Sequence, residues 1–416
     1  MGTSLDVSPL AYQVSTFLSD GLPRFIVQKR DTLIPSKALS IYENHLNHKF
    51  TSPNSIKSNL NLNLYIFTWA KSVNLNIEDI ILRGELLSAF QIRHFAYWLS
   101  CRGSVKTDGI EVISIDMYNK VLMCSSNLIS WFARIYRIDI DALLNPSERA
   151  IAINGLKELF NAQKKKDRRV RFAPDLTDDE ISAIERFLQP ENRLDTSPEI
   201  AKRDYLVWRI AIEFGMRIGE ILALRLCDCP HQGQDYFKIV RIEERGTDYR
   251  DPRGANAPRP KTLSRDLGFL LKNSKVHESL NDYTTAHRYA VTTRHGKKMQ
   301  QFMLTHQFLV ISHCRGGGTP LSRSGIQRVA KLISMGTGIN FHWHLPRHAF
   351  FNKAYAAITD LPEGKERKAK LMDLVEWGGW SDEKSLKLYA KRTLRDRAQK
   401  ALMIWQKGKN IWDALG

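Results

Sequence analysis

The stretch GMRIGEILALRLCD, Gly215 to Asp228, follows RDYLVWRIAIEF, and together they read as two helices broken at Gly215. The second opens with Arg217 and Glu220, a spacing that suits an ion pair at a helix start. An arginine there has another use. Exposed backbone N–H groups at a helix start favour an anion, and a fixed guanidinium adds to them. Taken alone, the ion pair is the plainer reading.

Three later segments change the weighting. PKTLSRDLGF, Pro260 to Phe269, brings Lys261 after a long basic loop, GTDYRDPRGANAPRP. HLPRHAF, His344 to Phe350, supplies His344, His348 and a second helix-start arginine, Arg347, behind a proline suited to a first turn. EWGGWSDEKSLKLYAKR, Glu376 to Arg392, places Trp380 and then Tyr389 in a cation-dense helical pattern. Each has a bland alternative. Tyr389 beside Leu388 suits a core or rim position, Lys261 a solvated charge, and His344 a satisfied structural histidine. Their joint occurrence in one order is what carries weight.

In that order the four segments resemble the tyrosine recombinases of the phage-integrase family, which are site-specific DNA recombinases. The resemblance is specific over the C-terminal part and only architectural over the N-terminal part. It implies Arg217 and Arg347 as the catalytic arginines, Lys261 as the hairpin lysine, His344 and Trp380 as further site residues, and Tyr389 as the nucleophile. Glu220 and His348 follow as structural support. The family more often has a second histidine where Trp380 stands. TDLPEGKERKAKLMD, Thr359 to Asp373, reads as an insertion between Arg347 and Trp380. The implied fold is mostly α with a small β-sheet: a helical core-binding domain followed by a catalytic domain.

The chemistry asks for these residue types on its own account. Exchanging DNA phosphodiesters without losing bond energy needs a covalent intermediate, for which a tyrosine oxygen serves. Phosphoryl transfer is chiefly positioning and electrostatic stabilisation, and guanidiniums stay charged and grip phosphate bidentately. The resemblance makes Lys261 the acid that protonates the leaving 5′ oxygen. His344 then assists the phenol's proton loss or bonds the phosphate, and Trp380 packs and offers one indole N–H. No metal or other cofactor is called for.

Bulk properties agree with a polyanionic partner. Lys and Arg number 62 against 44 acids, a net charge of +18, and such a charge repels itself unless something anionic balances it. No segment is apolar for long enough to cross a bilayer, and the start lacks the order of a secretory signal. The five cysteines are odd in number and scattered, as in a reducing compartment. The expected location is the bacterial cytoplasm, at the nucleoid. CDCPH (Cys227, Cys229, His231) and the pair His342 and His344 match zinc spacing poorly, and Gly316 to Gly318 lack the lysine of a phosphate loop.

The segments divide as 1–162, a helical DNA-binding domain with residues 1–35 as an extension; 163–174, a basic linker; and 175–416, the catalytic domain with a helical tail. Helix is expected throughout the first part, RFIVQ excepted, with Pro146 at a first helical position, and Thr177 and Glu180 have capping-box spacing where the catalytic domain starts. The expected partner is double-stranded DNA, closed on by both domains. The resemblance further implies a homotetramer on DNA, with accessory DNA-bending or partner recombinase proteins. The first functional reading is a recombinase or integrase of a mobile element that cleaves and rejoins duplex DNA through a 3′-phosphotyrosyl intermediate, with integration, excision and dimer resolution all open. A relaxase like the type IB topoisomerases and a non-catalytic DNA-binding accessory protein stay open beside it.

Overall fold

The computed structural model describes residues 9–19, 22–50, 52–106, 109–135, 146–166, 175–230, 234–246, 249–260, 262–268, 275–291, 300–301, 304–313, 318–389, 393–395, 398–399 and 402–403. The chain forms two compact units, Met1–Val170 and Arg171–Gly416. Both are mostly helical, and the strands among the described residues form small antiparallel pairs.

The first unit runs β1 (Tyr12–Ser19), β2 (Leu22–Lys29), α1 (Lys37–Lys49), α2 (Pro53–Ser72), α3 (Ile77–Leu82), α4 (Ala89–Ser100), β3 (Gly103–Lys106), β4 (Gly109–Val112), α5 (Ile115–Ile135) and α6 (Pro146–Ala162). The expected helices are present, and Pro146 opens α6. RFIVQ lies within β2, as the sequence suggests, whereas β1, β3 and β4 correct the expectation of helix elsewhere. In β2, Pro23, Phe25 and Val27 are buried while Arg24 and Ile26 are less so, the two-residue alternation of a half-covered strand. Strands as short as β3 and β4 leave too little pattern to read. The hairpin is no loose extension, because Tyr12, Phe25 and Val27 join the core with Phe67, Trp69, Phe95 and Phe132. Each fully buried ring of this kind contributes about 1.5–3 kcal/mol. The basic segment after α6 begins by docking on α5: Tyr118 donates to the Gln163 carbonyl at 3.2 Å and Asn119 to that of Lys165 at 2.8 Å.

The second unit runs α7 (Asp178–Leu188), α8 (Pro198–Phe214), α9 (Ile218–Ala223), β5 (Tyr236–Ile239), β6 (Arg265–Gly268), α10 (Lys275–Asp282), β7 (Ala290–Val291), β8 (Gln300–Gln301), α11 (Arg323–Thr337), α12 (Leu345–Thr359), α13 (Lys365–Trp377) and α14 (Glu383–Tyr389). Thr177 and Glu180 form the capping box at the start of α7 that their spacing suggests. The central helix is α8, whose Trp208, Ile210 and Phe214 share a core with Ile221, Phe237, Leu267, Ile333 and Leu345. A second apolar cluster joins Phe351 and Tyr355 of α12, Leu374 and Val375 of α13, Trp380, and Leu386 of α14. The segment read as an insertion thus supplies most of α13, which is part of this packing. Of the tail's apolar residues Leu402 is exposed, and Ile404, Trp405 and Ile411 lie outside the described residues.

Candidate active site

Between α8 and α9 the chain must turn sharply, and Gly215 does so with φ +61°. A side chain there would be strained and would also meet Phe350 at 2.5 Å. The turn delivers Arg217 as the residue preceding α9, its backbone N–H donating to Glu220 Oε2 at 2.9 Å and its Nη1 lying 3.4 Å from Glu220 Oε1. The expected Arg217–Glu220 pair is therefore present. Glu220 serves more than that pair. It is 1% exposed and accepts from Thr262 Oγ1 and from Arg265 Nη2, the latter at 3.1 Å. Burial opposes its charge, but Arg265, Arg347 and Arg217 together hold its pKa down at about 2.

Arg347 lies in the first turn of α12 and is wholly buried. Its Nη1 donates to the Gly215 carbonyl at 2.6 Å and its Nη2 to the Gly378 carbonyl at 2.9 Å. The guanidinium also lies against the rings of Phe351 (4.6 Å) and Trp380 (4.8 Å). Arg217 Nη1 reaches that same Gly378 oxygen at 3.5 Å. Two guanidiniums from distant segments therefore converge on one carbonyl of the Gly-Gly-Trp segment.

The strand segment joins the same knot. Arg265 Nε donates to the Trp377 carbonyl at 2.7 Å, and the Leu263 N–H to the Gly379 carbonyl at 3.4 Å. Gly379 has φ +64°, and a β-carbon on it would sit 2.7 Å from Arg265 Nη1 and from Thr262 Cβ. Only glycine allows the approach. Arg265 and Thr262 were visible in the sequence only as motif neighbours of Lys261, and their part in fixing Glu220 is legible from the structure alone.

A cavity of about 340 Å³ opens beside this knot, lined among others by Arg217, Glu220, Arg259, Arg323, Gln327, His342 and His344. Arg217 keeps 26% of its side chain exposed there. Arg347 and Trp380 do not line the cavity: Arg347 is wholly buried, and Trp380, at 9% exposure, packs on Phe351 and on the Arg347 guanidinium. Arg259, Arg323 and Gln327 carry no sequence signal of their own, and His342 enters the sequence reading only through a zinc spacing that it fits poorly. Arg323 follows a capping serine at the start of an ordinary amphipathic helix.

His344 immediately precedes α12, and its ring meets that of His348 edge-on at 4.8 Å. It keeps an edge open to the cavity, yet partial burial, then His348, Arg347 and Arg217, push its pKa down to about 4. His348 falls to about 4 as well, through burial and the neighbouring His342 and Arg347. Both are neutral at pH 7, and a neutral imidazole can accept a phenolic proton. The sign for stability follows. Between about pH 6.5 and 4 the unfolded chain binds protons that the folded pair refuses, so this contribution is full above pH 6.5 and is lost as pH falls towards 4. Denaturant midpoints measured at pH 7, 5.5 and 4.5 are expected to fall steadily. The fall should be shallower in His344→Gln/His348→Gln.

Tyr389 is the last residue of α14, and the chain is tied to α12 on both sides of it. Leu386 is fully buried with Phe351 and Trp380. Beyond it, Thr393 Oγ1 donates to the Asn352 carbonyl at 3.0 Å. Lys261, His231 and Gly316 lie outside the described residues. Cys227 is exposed, while Cys229 is buried and donates to the Arg225 carbonyl. No group of three or more metal-ligating side chains occurs among the described residues, and none of the described helices is long and apolar enough to cross a membrane.

No protein-family model and no curated protein matches the chain. Solved structures do. The chain is similar to the XerA recombinase, with 14% identity, a TM-score of 0.35, and coverage of 88% of this chain and 98% of that one. It is also similar to the XerH site-specific recombinase bound to palindromic difH substrate in a post-cleavage complex, with 15% identity, a TM-score of 0.47, and coverage of 89% and 94%. The XerH pre-cleavage complex with difH substrate matches at 15% identity and a TM-score of 0.34, covering 85% of this chain and 90% of that one.

Proposed function

We propose that the chain is a site-specific DNA recombinase of the tyrosine type, cutting and rejoining duplex DNA through a 3′-phosphotyrosyl link. The observation that carries the reading is the meeting of Arg217 and Arg347 on the Gly378 carbonyl, in the segment that leads to Tyr389. That two arginines 130 positions apart meet there supports the reading. Tyr389 attacks the scissile phosphorus, and the 5′ oxygen leaves with a proton from Lys261. A 5′-hydroxyl of a partner duplex then attacks the phosphotyrosyl link and frees the phenol. Arg217 grips the non-bridging oxygens from the cavity. Arg347 acts from below, its buried charge stabilising the developing negative charge through a medium that screens little. Neutral His344 accepts the phenolic proton or bonds the phosphate, while Trp380 holds the Arg347 guanidinium in place. Glu220 and His348 support the two arginines and His344.

The net charge of +18 supports backbone contacts along duplex DNA, with an affinity that falls steeply as salt rises. Strand exchange between two duplexes requires several protomers, and a tetramer on DNA, with accessory or partner proteins, belongs to this reading. So do the residue 1–162 and 175–416 domains as the two halves that hold the duplex, and a cytoplasmic, nucleoid-bound location. Nicked suicide duplexes made from the DNA flanking the reading frame test it. A detergent-stable protein–DNA species and Holliday junctions on paired sites are expected. Plasmid relaxation without junctions would point to a relaxase, and binding with no covalent species to an accessory protein.

A further inference from the structure

The cavity holds more positive charge than one phosphodiester neutralises. Arg217 has only long contacts to Glu220 and the Gly378 carbonyl, through one nitrogen, and Glu220, already shared with Arg265 and Thr262, neutralises it only in part. Arg259 and Arg323 face the same space, and neither has an acidic or carbonyl partner among the described residues. Arg323 Nη2 would lie 3.9 Å from a β-carbon on Gly219, which puts this guanidinium beside the turn that carries Arg217. Like charges gathered at a cavity repel one another unless an anion comes between them.

The loop that delivers Arg259 is firmly anchored. Arg253 pairs with Asp251, both nearly buried, and its Nη1 donates to the Leu222 carbonyl at 2.9 Å and the Leu321 carbonyl at 3.0 Å. It also lies over the Phe308 ring at 4.5 Å. Leu222 belongs to α9, which Arg217 precedes, and Leu321 comes just before Arg323. One buried arginine thus ties the loop to both of the elements that bring cations to the cavity.

We propose that Arg259 and Arg323 form a second phosphate subsite beside the one made by Arg217 and His344, so that the cavity takes two neighbouring phosphates of one DNA strand. The proposal deepens the DNA reading above and rests on it for the identity of the anion. Arg253 acts as a positioning residue for the new subsite.

Calorimetry on the full chain at low salt provides the test, with thymidine 3′,5′-bisphosphate and thymidine 3′-monophosphate as probes. The unmodified protein is expected to prefer the bisphosphate by about tenfold or more, the scale of one added charge-assisted contact. Arg259→Ala/Arg323→Ala should abolish the preference and leave monophosphate affinity within a few-fold. Lys365→Ala/Lys368→Ala removes the same charge from exposed sites on α13 and should keep it. Equal affinities in the unmodified protein, or a preference that survives the first pair, overturn the proposal. If circular dichroism shows the alanine pair unfolded, Arg259→Lys/Arg323→Lys answers the same question. Lysine cannot grip phosphate bidentately, so the preference should fall several-fold, and an unchanged preference overturns the subsite. A chain that forms a phosphotyrosyl adduct without the preference loses only the subsite. One with the preference and no adduct loses only the catalytic reading.

Discussion

Tyr389→Phe is expected to cut the rate of covalent attachment to a nicked duplex by roughly 10⁴-fold or more, since it removes the reacting oxygen. Affinity for the same duplex should stay within about twofold, because binding draws on many backbone contacts and the ring is retained. The thermal midpoint should hardly move, since α14 is fastened by Leu386 and the following chain by Thr393. Gel retardation, covalent trapping and a melting curve on one preparation separate the three quantities. Loss of binding together with cleavage would show a structural residue instead of a nucleophile.

Arg347→Ala is expected to fail in two ways at once. The buried guanidinium satisfies the carbonyls of Gly215 and Gly378, and truncation leaves both without that donor. It also empties the space against Phe351 and Trp380 and withdraws a cation from near Glu220. Breaking a buried charged contact of this kind costs about 3–5 kcal/mol, which in a unit of this size is roughly 10 °C in thermal midpoint. Where the variant still folds, cleavage should fall by about 10²–10³-fold through loss of transition-state charge stabilisation. Arg347→Lys should recover little of either. A single ammonium cannot span two carbonyls as the planar fork does. Scanning calorimetry and single-turnover cleavage distinguish the two losses. Full stability with reduced cleavage would mean that the contacts to Gly215 and Gly378 contribute nothing to the fold.

The parts of this site that were legible in the sequence are those fixed by local chemistry. Gly215 before Arg217, Pro146 opening α6, and the Thr177–Glu180 cap each follow from what a few adjacent residues can do. Arg217, Arg347, His344 and Trp380 could be named because their segments keep a recognisable order, and the structure groups them. It also separates them by exposure in a way no one-dimensional pattern contains. Arg217 faces the cavity, whereas Arg347 is wholly buried and Trp380 nearly so. Arg265 on Glu220, and Arg253 binding a loop to two distant carbonyls, are long-range pairings with no local trace. The N-terminal hairpin was missed apart from RFIVQ because β1 shows no clean alternation, most of its length being partly or fully exposed. What α14 and α12 do around Tyr389 depends on packing between Leu386, Phe351 and Trp380, residues that look like ordinary core in isolation.

The central claim is that a phenol at position 389 becomes the point of attachment to DNA, served by the group built on Gly378. Mass spectrometry of the nuclease-trimmed covalent species addresses it directly, together with enzymatic labelling of the freed DNA end. The expected result is a nucleotide remnant on the peptide that contains Tyr389, joined through its 3′ phosphate, with a free 5′-hydroxyl that a polynucleotide kinase labels. A remnant on any other residue, or attachment through a 5′ phosphate, would contradict the account.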